Sequence, residues 1–92
     1  MFIAQPQFLI NIVTKPEVAD NLIPNLKKFD IVYYLRFDLK GGRPADLADK
    51  DITRVQLMCS RGKLNEIMGY LKEYYIKGYG AVAYYEEVHV PI

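Results

Sequence analysis

The chain has 92 residues, 51% of them hydrophobic and 25% charged, and a formal net charge of +1. A chain of this length makes one domain, here residues 1–92, and its composition is that of a soluble globular protein rather than a disordered or membrane one. The near-neutral charge argues against a broad nucleic-acid footprint, and no apolar run approaches the roughly 20 residues that a bilayer span needs.

Phe8-Leu9-Ile10-Asn11-Ile12-Val13 is a short apolar run after Pro6 and predicts a buried strand. Thr14-Lys15-Pro16-Glu17 has the form of a capping box, with Thr14 expected to accept from the Glu17 amide and Pro16 placed in the first turn. The helix that it opens aligns Val18, Ala19, Leu22, Ile23 and Leu26 on one face and ends near Lys27-Lys28, with Pro24 bending or shortening it.

Residues 30–39 alternate, with Ile31, Tyr33, Leu35, Phe37 and Leu39 on one face and Val32, Tyr34, Arg36 and Asp38 on the other, so a strand is predicted. Residues 40–51 are rich in glycine and aspartate, follow neither period, and predict a mobile surface loop. Residues 52–59 form the next predicted strand, with Val55, Leu57 and Cys59 on one face and Arg54, Gln56 and Met58 opposite. Ser60 is a candidate N-cap for a second helix, whose apolar face is Leu64, Ile67, Met68, Leu71, Tyr74 and Tyr75. Lys77 to Gly80 ends that helix, and residues 81–90 predict a closing strand.

The order β-α-β-β-α-β is that of a ferredoxin-like α+β sandwich, a four-stranded antiparallel sheet with both helices on one face. The uncovered face is expected to carry Leu9 or Ile10, Val13, Val32, Tyr34, Met58, Ala83 and Tyr85. So much wet apolar surface predicts a homo-oligomer assembled through the sheets.

Two glycine clusters, Lys40-Gly41-Gly42-Arg43 and Lys77-Gly78-Tyr79-Gly80, stand at predicted element ends. Glycine lets backbone amides face a cleft without Cβ obstruction, and Lys40, Arg43, Lys77 and either Arg36 or Arg54 supply positive charge, which suits a phosphate-sized or bicarbonate-sized anion. The alternative for the second cluster is a helix-to-strand turn with a left-handed glycine cap. Of the crowded tyrosines, Tyr79, between two glycines, is the one expected to meet a ligand, whereas packing accounts for most of the others.

Catalysis finds little support. His89 is the only histidine and has no organised partners in the sequence, and Asp46, Asp49 and Asp51 lack calcium-loop spacing. Cys59 has no second cysteine, so no internal disulfide forms and a reducing cytoplasm is the expected compartment.

The order and spacing of the two clusters, with Gly78-Tyr79-Gly80-Ala81-Val82 followed by Glu86-Glu87-Val88, resemble the P-II signal-transduction superfamily over most of the chain. The resemblance implies a non-enzymatic homotrimer that binds a small effector, an adenine nucleotide or bicarbonate, in clefts between subunits. It also implies that a loop opened by Lys40-Gly41-Gly42-Arg43 regulates a partner such as a membrane transporter. The effector residues it implies are Lys40, Gly41, Gly42, Arg43, Lys77, Gly78, Tyr79, Gly80 and His89. Ala81 stands where nucleotide-binding members carry a basic residue, and His89 and Pro91 stand where they carry arginines. A trimer of the same fold without nucleotide, serving as a protein-interaction module or metal-binding protein, is the alternative.

Overall fold

The computed structural model describes residues 4–42 and 50–91. Strand β1 (Ala4–Thr14) leads into helix α1 (Pro16–Leu26), and strands β2 (Tyr33–Gly41) and β3 (Lys50–Cys59) follow. Helix α2 (Arg61–Leu71) continues into a π-helical turn (Lys72–Ile76) and a final short helix α3 (Lys77–Tyr79), before strand β4 (Val82–Pro91). The four strands make one antiparallel sheet in the order β2-β3-β1-β4. This is the ferredoxin-like arrangement expected from the sequence.

Pairing register decides which side chains are buried. Ile12 opposite Val55 and Ile10 opposite Leu57 put alternate residues of the two central strands beneath the helices. There they meet Val18, Ala19, Leu22 and Leu26 of α1 and Leu64, Ile67 and Leu71 of α2. Pro24 lies inside α1, where its missing amide removes one hydrogen bond without ending the helix.

Three local expectations are corrected. Thr14 belongs to β1, not to a capping box: Lys15 is the N-cap of α1, and no side chain caps it among the described residues. The second helix is interrupted by the π turn, which leaves Tyr74 exposed while Tyr75 is buried. The open sheet face also differs in β2 and β4. Tyr33 pairs with Met58 and Asn11 with Tyr84, so Tyr33, Leu35, Phe37, Leu39, Val82 and Tyr84 face away from the helices, while Tyr34, Ala83 and Tyr85 share the helical side. A one-residue offset in a strand exchanges its faces, and the period alone does not say which of two half-apolar rows turns inward.

The polar row of β2 instead reaches toward the helices: Arg36 Nη1 donates to Asp20 Oδ1 of α1 at 2.6 Å. The strands flanking the expected loop extend further into it than the sequence suggests, to Gly41 on one side and from Lys50 on the other. Arg43, Asp46 and Asp49 lie outside the described residues.

Candidate functional site

In this topology the end of β1, the end of β2, the start of β3 and the start of β4 all lie at one edge of the sheet. The helix running into β4 delivers its last turn to the same edge. The two glycine clusters, far apart in sequence, therefore meet: Gly41 and Gly42 form one wall of a cavity of ≈ 330 Å³, and Tyr79 and Gly80 form another. Thr14 and Lys15 line it from the end of β1, Lys50 and Asp51 from the start of β3, and Val82 from β4.

The second glycine pair divides its work. Gly80 has φ 70° and ψ 22°, the left-handed conformation that caps a helix, which costs an L side chain strain. Its amide donates to the Ile76 carbonyl at 3.1 Å, and the Ala81 amide donates to the Tyr75 carbonyl at 3.2 Å. These two amides close the helix. The capping interpretation of the turn thus describes its backbone, while Gly80 still keeps a Cβ out of the cavity wall. Gly78 is helical, with open space where a Cβ would stand.

Positive charge enters the cavity from Lys15 and Lys50. Lys15 is also where α1 begins: its carbonyl accepts from the Val18 and Ala19 amides at 3.1 and 3.0 Å. The positive end of the α1 dipole consequently lies at the cavity edge. Thr14 Oγ1 is buried and has no hydrogen-bond partner among the described residues. Lys40 stands just outside, its ammonium paired with the carboxylate of Asp51 across the β2–β3 ladder.

The remaining expected site residues lie elsewhere. Lys77 is exposed and paired with Glu73 at 3.3 Å, and neither it nor Gly78 lines the cavity. His89 sits opposite Pro6, seven residues along β4 from Val82, or about 23 Å at the usual strand rise, with its Nε2 4.0 Å from Glu87. Thr14, Lys15 and Lys50 are among the cavity residues that the sequence reading missed. The available signal was topological, since in a β-α-β-β-α-β chain the ends of β1 and β2 share one edge with the starts of β3 and β4.

A neighbouring cavity of ≈ 460 Å³ runs along the helical side of β2. Its charges are internally paired: Arg36 Nε donates to Asp38 Oδ1 at 3.2 Å, and Thr53 Oγ1 donates to the same oxygen at 2.7 Å. Those hydrogen bonds, Thr53's first, hold the Asp38 carboxyl below its ordinary value, and the Asp20 and Asp38 bonds raise Arg36. The glycine-walled cavity is the candidate site because both glycine clusters and the start of α1 meet there.

No family model and no curated protein matches the chain. Solved structures do. A PII-like signalling protein from Thermus thermophilus superposes with a TM-score of 0.79 at 23% identity, covering 96% of this chain and 91% of its own. CPII from Thiomonas intermedia, a nitrogen regulatory PII-like protein bound to ADP, AMP and bicarbonate, gives 0.79 at 9% identity, covering 95% and 94%. B. subtilis GlnK in complex with ATP gives 0.68 at 16% identity, covering 90% and 82%. With topology, helix placement and near-complete coverage in agreement, the chain has the P-II-like form of the ferredoxin-like fold.

Proposed function

We propose that the chain is a non-enzymatic regulatory protein of the P-II-like superfamily, a cytoplasmic homotrimer that binds a small anionic effector, an adenine nucleotide or bicarbonate, at the glycine-walled cavity. The observation that carries this reading is the meeting of Gly41-Gly42 with Tyr79-Gly80 around one cavity edged by Lys15, Lys50 and the start of α1. CPII, of the same fold, is bound to ADP, AMP and bicarbonate, which supports the same ligand classes here. Effector binding then acts on the segment after Gly42, which engages a partner such as a membrane transporter. A few kcal/mol of differential binding suffices for such a switch.

Assembly follows from the open face. Leu35, Leu39, Val82 and Tyr84 are each between 45% and 59% exposed there, a row that a monomer rarely leaves wet. On that face Arg54 lies over the Phe37 ring at 4.6 Å, and its Nε is buried without a hydrogen-bond partner among the described residues. Packing of copies sheet to sheet covers this surface.

Calorimetric titration with ATP, ADP, AMP, cyclic nucleotides and bicarbonate tests the effector reading. Saturable binding of at least one, weakened by Lys15→Gln, supports it; no binding by a folded protein removes it. A second reading, a trimer of this fold that holds no nucleotide, is favoured by one observation: the Gly80 and Ala81 amides are already bonded within the helix end. That reading expects an intact trimer and a silent titration.

A further inference from the structure

A second groove, on the helical layer, has a construction that the effector reading does not use. In an α-helix residues five apart lie about 140° apart around the axis, so Tyr70 and Tyr75 belong on different sides. The π turn changes this. The Lys77 amide bonds the Lys72 carbonyl, five residues back, and the widened turn brings Tyr70 and Tyr75 to 5.8 Å between ring centroids. Tyr74 lies 5.0 Å from Tyr70 and Tyr79 lies 5.9 Å from Tyr75, so four tyrosines converge on one wall. Such single π turns are rare and recur at functional sites.

Opposite stand Asn21 and Asn25 of α1, enclosing a cavity of ≈ 280 Å³. Asn25 Nδ2 donates to the Tyr75 hydroxyl at 3.2 Å, which fixes one end of the wall. Lys28 lines the same cavity, its ammonium 3.9 Å from the centre of the Tyr70 ring. Among the described residues no carboxylate lines this groove. Its only charge is therefore positive, which disfavours a cationic guest despite the aromatic wall. Tyr74 and Tyr79 remain 59% and 57% exposed, leaving two aromatic surfaces free for stacking.

We propose that this groove binds a small aromatic carboxylate, its ring against Tyr74 and Tyr79 and its charge at Lys28. The ring faces supply stacking, the ammonium supplies an anion partner without leaving Tyr70, and the Asn21 amide nitrogen supplies a neutral donor, the Asn25 amide being committed to the Asn21 carbonyl and the Tyr75 hydroxyl. The site is separate from the glycine-walled cavity, with which it shares Tyr79 as a common wall.

The test is calorimetric titration with benzoate and indole-3-carboxylate, with cyclohexanecarboxylate as the non-aromatic control. Tyrosine fluorescence gives a second readout, since the chain has eight tyrosines and no tryptophan. The aromatic acids are expected to bind at least about tenfold more tightly than the control, the size of effect that ring contacts supply. Tyr74→Ala and Lys28→Gln should each weaken binding by about tenfold, with Lys28→Arg retaining it. Lys15→Gln, in the other cavity, should leave it unchanged, so that failure of the effector reading is told apart from failure of this one. Equal binding of cyclohexanecarboxylate, indifference to Tyr74→Ala and Lys28→Gln, or no binding up to about 10 mM overturns the proposal.

Discussion

Tyr75 donates its phenol hydrogen to Asn21 Oδ1 at 2.8 Å, tying the π turn to helix α1 across the groove between them. The ring itself is buried, only 2% exposed, and its phenol is held above its ordinary value, chiefly by that burial. Tyr75→Phe keeps the ring and deletes both hydroxyl bonds, the one to Asn21 and the one from Asn25, so a stability loss of about 1–2 kcal/mol is expected. Tyr75→Ala should cost about 3–5 kcal/mol by opening the core. Urea unfolding followed by circular dichroism measures both; a Phe variant as unstable as the Ala variant would show that the hydroxyl bonds, not the ring, hold the turn.

The two glycines of the helix end should respond oppositely to alanine. Gly78 is helical with open space where a Cβ would stand, so Gly78→Ala should stabilise by about 0.5–1 kcal/mol. Gly80 has φ 70°, so Gly80→Ala should destabilise by about 1–2 kcal/mol. Thermal unfolding of the pair, with the two shifts in the same direction, would contradict this assignment of the cap.

Asp38 gives the protein a defined acid response. Its folded carboxyl value lies below the ordinary 3.8, first through the Thr53 hydroxyl and then through Arg36. A lowered folded value stabilises above the unfolded value, and that contribution is lost as pH falls from about 4 through the folded value. Thr53→Val removes the largest cause, so the variant should lose less stability than wild type over that acid range. Parallel pH–stability curves for the two proteins would refute the role of Thr53.

Cys59 is buried in the core, and burial raises its thiol above the ordinary value. Its thiolate is correspondingly scarce at neutral pH. A disulfide reagent such as Ellman's should label it only when denaturant unfolds the protein. The raised value also means that this thiol favours the folded state below its unfolded value of about 9 and ceases to do so as pH rises through the folded value. Rapid labelling under native conditions would contradict the burial.

Paired substitution on the open face tests assembly. Leu35→Asp with Leu39→Asp puts charge on β2 where Leu35 and Leu39 are 45% and 49% exposed, so the folded protomer should tolerate it. Light scattering after gel filtration should then show monomers, against the trimer proposed for wild type. A wild-type monomer at micromolar concentration removes the trimer from the proposal.

The sequence made the fold legible because its periods are clear: two for residues 30–39 and 52–59, three to four for the helices. It also grouped Gly41, Gly42, Tyr79 and Gly80, which the structure brings to one cavity, whereas Lys77, Gly78 and His89 do not line it. It misassigned Thr14 because Thr-x-x-Glu matches a capping box regardless of where the strand stops, and β1 runs one residue past the expected end. The faces of β2 were reversed because its helical side carries Arg36 and Asp38, paired to Asp20 and Thr53 by contacts distant in sequence. Lys15 escaped attention because local reading made it part of a helix start, and only the strand order brings it to the glycines.

The π turn makes the number of residues between Tyr70 and Gly80 a structural quantity in its own right. The widened turn already takes up one residue more than an α turn, so one further residue inserted into Lys72–Ile76 would turn everything beyond it by about 100°. Tyr79 would swing off both hollows at once, and the chain would reach β4 in the wrong orientation. Loss of one residue would instead close the segment to a regular α-helix and leave that register standing, so the helix end tolerates shortening but not lengthening.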